Sequence, residues 1–260
     1  MREIESSDPK VHANLTHEIR NFWTTHVNAE RIFGRTVSLH ERGTEAYFSD
    51  LEQQRYRSHR HLRPWIESMI PGRSVLEIGS GVGLDTFVMA NHGLAVTAVD
   101  LTQVAAQTVS GRFRLHDMRG QFAVADACHL PFPDNTYDYV YSFGVLHHAA
   151  DTARTVDEVH RVLKPGGEAR IMLYHRRSLN EFVHRITRIP FEEKGALCPV
   201  VRRYSVPEVQ ALFRSFGSVT IHLDHLFGEG YGPLYHLTPR WLHAVLSRHF
   251  GWHIMITATK

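Results

Sequence analysis

The stretch VLEIGSGVGLDT, residues 75–86, decides the fold. SVLEIG (74–79) is a short apolar run with a glycine stop, the pattern of a strand buried on both faces. Leu84, Phe87, Val88 and Met89 then recur around helical spacing, and Gly93 offers a C-terminal stop. Between strand and helix, Gly79, Gly81 and Gly83 follow Glu77 in the spacing E-x-G-x-G-x-G. Glycines there let the backbone turn tightly and approach a ligand, and the helix N-terminus presents unpaired N–H groups. The dinucleotide fingerprint G-x-G-x-x-G is not met, because its third glycine would fall on Leu84 or Thr86.

Working outward, AVTAVD (95–100) reads as a second strand, with Thr102 placed to cap the helix that follows. QFAVADA (121–127), YDYVYSF (137–143) and EARIMLY (168–174) read as three more strands. Residues 149–167 read as one helix ended by Pro165 and Gly166-Gly167. Strands alternating with helices at short intervals predict a parallel sheet covered on both faces. Three zones result: a polar, Arg- and His-rich N-terminal helical extension (1–72), a core (73–174), and a mixed helix and strand segment of the same domain (175–260).

Two acids strengthen the case for a ligand at the glycine loop. Asp100 ends the second strand 23 residues after Glu77, where a carboxylate can take both hydroxyls of a ribose. Asp126 ends the third strand, where a carboxylate can accept from an exocyclic adenine amine. Each hydrogen bond to a charged group contributes about 1.5–3 kcal/mol, so three strand-end acids can orient a cofactor.

Composition narrows the remaining classes. The 260 residues are 43% hydrophobic and 22% charged, which excludes disorder, collagen and coiled coil. No apolar run approaches the roughly 20 residues that span a bilayer. The N-terminus lacks a signal-peptide core, and Cys128 and Cys198 allow no disulfide framework, so a cytoplasmic location is expected. A net charge of +2 argues for neither nucleic acid nor membrane as partner. The 20 histidines suggest metal, but the best local cluster, His222 and His225 with Asp224, splits across two faces of a strand. No metal is expected. The basic run from Arg55 to Arg63 reads as a solvated helix face, with acids just upstream.

These motifs resemble the class I S-adenosylmethionine-dependent methyltransferases, closest to the small-molecule group often called type 11. The matching stretches are 75–86, 96–102, VADACHLPFPDNTYDYVYSFGVLHH (124–148) and RVLKPGGEARIMLY (161–174). The resemblance implies a Rossmann-like, doubly wound sheet of seven strands, mostly parallel, whose last strand is antiparallel. Residues 218–225 and 251–260 suit the closing hairpin, with 239–250 a helix between. It carries Glu77, Gly79, Gly81 and Gly83 to the methionine end of the cofactor, and Asp100 with Leu101 to the ribose. Asp126 and Ala127 go to the adenine, and Phe143 to a backbone contact. S-adenosylmethionine is the implied cofactor and S-adenosylhomocysteine the product.

The resemblance implies methyl transfer to a small molecule, and oxygen is the expected acceptor. A hydroxyl needs a base, which makes His147 and His175 the catalytic candidates. Tyr174 and Arg176, with Trp23, Tyr47 and Tyr56 of the extension as a cover, are the substrate-side candidates. Three other readings stay open: a nicotinamide oxidoreductase, a non-catalytic cofactor-binding module, and methylation of protein or nucleic acid. Acceptor identity and oligomeric state are not readable.

Overall fold

A computed structural model describes residues 9–27, 30–32, 35–187, 198–228 and 231–260. Seven strands make one sheet: β1 (Ser74–Ile78), β2 (Ala95–Asp100), β3 (Gln121–Val124), β4 (Tyr137–Phe143), β5 (Leu163–Tyr174), β6 (Ser218–Asp224) and β7 (His253–Thr259). Their order is β3-β2-β1-β4-β5-β7-β6. The pairs among the first five are parallel, and β7 runs antiparallel to both β5 and β6. The chain winds outward from β1 and then reverses to β4, so the carboxyl ends of β1 and β4 form the topological switch point where such sheets bind ligands.

Helices cover both faces. α1 (Pro9–Thr25), α2 (Glu45–Ser58) and α3 (Leu62–Glu67) precede the sheet. α4 (Leu84–Asn91), α5 (Gln103–Leu115) and α6 (Thr152–Val162) connect its parallel strands. α7 (Leu179–Thr187), α8 (Val206–Leu212), α9 (Pro233–Leu237) and α10 (Arg240–Phe250) follow β5, the last two between β6 and β7. On one face Val156, Val159 and Val162 of α6 pack with Val209 and Phe213 against β1, β4, β5 and β7. On the other, Ile66 and Met69 join Val88, Met89, Val109 and Phe113 against β1 and β2. Ile66 of α3 and Met69 just beyond it thus share the sheet's core.

Local chemistry explains the boundaries. Thr102 caps α5 by accepting from Ala105 N–H at 3.3 Å. Two expectations need correction. The helix expected to run to Gly167 stops at Val162, and Leu163-Lys164-Pro165-Gly166-Gly167 opens β5. Pro165 biases Lys164 toward extended backbone, and Gly166 N–H donates to Lys260 O at 3.1 Å, which draws the tract to the sheet. The third strand ends at Val124 rather than Ala127. There Asp126 accepts from Cys128 N–H at 2.9 Å and turns the chain away.

Candidate functional site

A cleft lies along the carboxyl ends of β1 to β4. The loop from Glu77 to Val82 forms its floor, and Asp100–Thr102 and Ala125–Ala127 form one end. Phe143–Val145 and His148–Ala150 form the other side, with Thr16, Ile19 and Trp23 of α1 and Arg55 of α2 closing over it. The loop needs its glycines for two different reasons. Gly79 has φ of 78°, and a Cβ there would stand 2.3 Å from the Val145 side chain. Gly83 has φ of 76° as the N-cap of α4, and its Cβ would stand 2.7 Å from Val109. Gly83 supports the turn from below and does not line the cleft.

The acids are tied into this frame. Asp100 accepts from Gly81 N–H at 3.0 Å, and from Thr102 N–H at 2.9 Å and Thr102 Oγ1 at 2.8 Å. Burial raises its carboxyl, and those bonds draw it partly back. Glu77 is buried and accepts from Thr86 Oγ1. Burial and the charge of nearby Asp85 push Glu77 well above the usual carboxylate range. Asp85 goes the other way. Burial alone would raise it, but Arg55, with the Tyr56 and Tyr141 hydroxyls donating, holds it low. Asp126 stands at the far end, with His12 Nε2 3.7 Å and His129 Nδ1 3.8 Å from Oδ2.

The residues expected on the acceptor side separate. Trp23 lines the cleft and meets the His148 ring edge-on at 5.1 Å. His147 does not line it. Its ring is fully buried against Tyr174, centroids 3.9 Å apart, and neither ring nitrogen has a hydrogen-bond partner among the described residues. Burial pushes it well below the usual histidine range. The neighbouring His148 is the histidine that lines the cleft. Its Nδ1 meets Val200 O at 2.7 Å, and burial lowers it to about 4. His175 is buried, with Nδ1 3.0 Å from Gly251 O, and Tyr174 stacks on Trp252 at 4.3 Å. Neither lines the cleft. Arg176 donates to Arg203 O and to Glu208, also away from it. The Tyr47 hydroxyl donates to Glu30, and the Tyr56 hydroxyl to Asp85 beneath the glycine loop.

Three features escaped the sequence reading. Arg55 is buried against Asp85 and lines the cleft, which corrects the solvated face assigned to it. Since α2 ends at Ser58, Arg55, His59 and Arg63 do not share one helix. His148 was passed over for His147. A histidine cluster also lies behind Phe143, where His59, His225 and His253 approach one another with His61 beside them. No sequence spacing announces it, because its members come from three distant segments.

Comparison with known proteins points to methyltransferases over the core of the chain. The family described as "Methyltransferase domain" matches residues 76–171. Over 188 residues the chain is 27% identical to the 2-methyl-6-phytyl-1,4-hydroquinone methyltransferase of Synechocystis sp., covering 71% of this chain and 57% of that protein. Over 100 residues it is 38% identical to the demethylmenaquinone methyltransferase of Clavibacter sepedonicus, covering 38% of this chain and 40% of that one. The chain thus spans little more than half the length of the first of these relatives, and less of the second. In fold it is similar to an S-adenosylmethionine-dependent methyltransferase of Thermotoga maritima, with a TM-score of 0.60 and 18% identity over 82% of this chain and 96% of that one. The glycine loop and the strand-end acids fall within the matched segment, which is similar to methyltransferases.

Proposed function

We propose that the whole chain transfers a methyl group from S-adenosylmethionine to a small-molecule acceptor, at oxygen. The observation that carries the reading is the alignment of three carboxylates along one cleft, Glu77, Asp100 and Asp126 at the ends of β1, β2 and β3. The residues suit the cofactor. Glu77 can ionise against its ammonium group, Asp100 can accept from the ribose hydroxyls, and Asp126 can accept from the adenine amine. Gly81 supports the fit as well, since a Cβ there would meet nothing within 4 Å, which leaves the floor of the cleft open for a close ligand.

When bound, the cofactor supplies an electrophilic methyl on sulfur, displaced in line. The protein's work is then alignment and exclusion of water, and such positioning can supply about 7–11 kcal/mol of the barrier. Ile19 and Trp23 of α1 cover the cleft in this reading, so the N-terminal extension acts as its lid. For a hydroxyl acceptor, His148 is the base in place of His147 and His175. It is neutral at pH 7, and with Nδ1–H held by Val200 O its Nε2 can accept a proton. Of the substrate-side candidates, Trp23 is the one that this reading keeps at the acceptor.

One relative is named for a hydroquinone and another for a demethylmenaquinone, which supports a small aromatic-ring acceptor. The test is transfer of labelled methyl from S-adenosylmethionine to a panel of phenols, hydroquinones, amines and thiols. Oxygen-linked label in a phenol supports the reading. Label appearing only on carbon or nitrogen contradicts the oxygen assignment, and label on none of them contradicts small-molecule transfer.

A further inference from the structure

Behind Phe143, outside the cleft, four histidines converge from segments far apart in sequence. His59 follows the end of α2, His225 follows β6, and His253 begins β7 opposite Asp224. The rings of His59, His225 and His253 have centroids 4.7, 5.4 and 4.5 Å apart and planes within 16° of one another. Those distances close a triangle. A stacked column would leave its outer rings about twice as far apart as each neighbouring pair. Each ring offers a nitrogen within 4.8 Å of the others. Three imidazoles bonded to one tetrahedral ion at about 2.0–2.1 Å have ring centroids roughly 5 Å apart and ligand nitrogens roughly 3.3 Å apart. The ring centroids therefore already have the spacing of a three-histidine site; their planes are nearly parallel, so each ring must turn about its Cβ–Cγ bond for the three nitrogens to converge on one ion.

We propose that His59, His225 and His253 bind one divalent transition-metal ion. The partners around them are those a metal centre uses. His59 Nδ1 lies 3.2 Å from Arg55 O, and His253 Nδ1 lies 3.1 Å from His61 Nε2. His61 Nδ1 is in turn 4.0 Å from Asp224 Oδ1. Metal-bound histidines engage their second nitrogen with a backbone carbonyl or a carboxylate-linked group in this way, which leaves Nε2 for the ion. His225 is held at φ of 60°, a conformation that non-glycine residues adopt at a cost and that clusters at ligand clamps. An all-imidazole set selects zinc, cobalt, nickel, copper or iron over magnesium and calcium.

Three protein ligands keep a coordination position open. Phe143 packs on His59 and His253, and Arg55 lies over the Phe143 ring at 5.0 Å, and both residues also line the cofactor cleft. Phe143 and Arg55 thus stand between the ion site and the cleft, and ion binding does not rest on the methyl-transfer reading.

The test uses the full chain stripped with a chelator and titrated with Co²⁺. The expected result is one equivalent per chain, with an intense visible d–d band that Zn²⁺ abolishes. His225→Gln and His253→Asn should each weaken binding about 100-fold. Both should leave S-adenosylhomocysteine affinity within about threefold, which also shows that they fold and separates this claim from the cofactor reading. His12→Gln, at the other histidine–carboxylate group, should leave the band unchanged. Weak binding of several equivalents without a band, or a band that survives in both variants, overturns the proposal. If a variant unfolds, imidazole ¹⁵N shifts of the wild-type chain decide. Zinc moving His59, His225 and His253 together supports the site, and zinc moving other histidines instead contradicts it.

Discussion

Arg55, in the last turn of α2, grips Asp85 in the first turn of α4 with two prongs: Nε donates to Oδ1 at 2.8 Å and Nη2 donates to Oδ2. The side chains are 16% and 3% exposed, so the pair is largely shielded from water. This pair locks the N-terminal helices to the glycine loop. Breaking a buried pair strands the remaining charge and costs about 3–5 kcal/mol. Arg55→Met should therefore lower stability by about that amount in urea unfolding. Arg55→Met combined with Asp85→Leu should cost less than the two single changes summed, as read from a double-mutant cycle.

The contact between Gly79 and Val145 makes a sharper steric prediction. Gly79→Ala places a methyl where Val145 already stands, at positive φ, and should abolish cofactor binding or lower the unfolding midpoint markedly. Val145→Ala in the same chain should restore part of the loss. The unrelieved part combines the contact with the Val145 Cβ at 2.8 Å and the backbone strain at φ of 78°, the latter about 1–2 kcal/mol.

Glu77 ties cofactor binding to pH. Its carboxyl is raised above the ordinary value of 4.5, so in the window above 4.5 the folded chain holds a proton that the unfolded chain has lost. Its contribution to stability is thus greatest below pH 4.5 and declines as pH rises through that window. A cofactor ammonium at Glu77 favours the ionised form, so binding should release a proton. Calorimetry in two buffers of different ionisation enthalpy should detect close to one proton released near neutral pH or just below. The count should fall to near zero in Glu77→Gln.

The two adjacent histidines should behave differently. His148 lines the cleft and His147 does not. With a hydroxyl acceptor, His148→Gln should lower kcat by about 10²-fold or more, the usual contribution of a positioned base. His147→Asn should change kcat by less than about threefold. Both rings are lowered by burial, so they stabilise the fold above pH 6.5 and lose that contribution as pH falls below it. His147→Phe, which has no buried nitrogen to protonate, should flatten part of the stability loss between pH 6.5 and 4.

The strands and the glycine loop were legible because both rest on local rules. SVLEI and AVTAVD are apolar runs closed by glycine or acid, and each forms a strand over the expected residues. Pro165 was misleading because its effect lay on Lys164, pushing it into the sheet rather than merely ending a helix. Glu77, Asp100 and Asp126, picked out at strand ends, line the cleft, as do Leu101, Ala127 and Phe143, which the resemblance supplied. The acceptor side was not legible. Whether His147 or His148 faces the cleft depends on the 3₁₀ turn at Leu146–His148, which rotates neighbouring side chains apart. Arg55 looked solvated because its partner, Asp85, is 30 residues away and on another helix. Likewise the triangle of His59, His225 and His253 exists only once β7 pairs with β6 and the end of α2 lies across them.

Calorimetric titration of S-adenosylhomocysteine into the wild-type chain and into Asp100→Ala tests the central claim most directly. Asp100 both faces the cleft and holds the loop through Gly81, so its loss should weaken binding at least about tenfold, in keeping with about 1.5–3 kcal/mol for a charged hydrogen bond. Wild-type binding with that loss is the predicted result. No binding by the wild-type chain, or equal binding by both, would contradict the account.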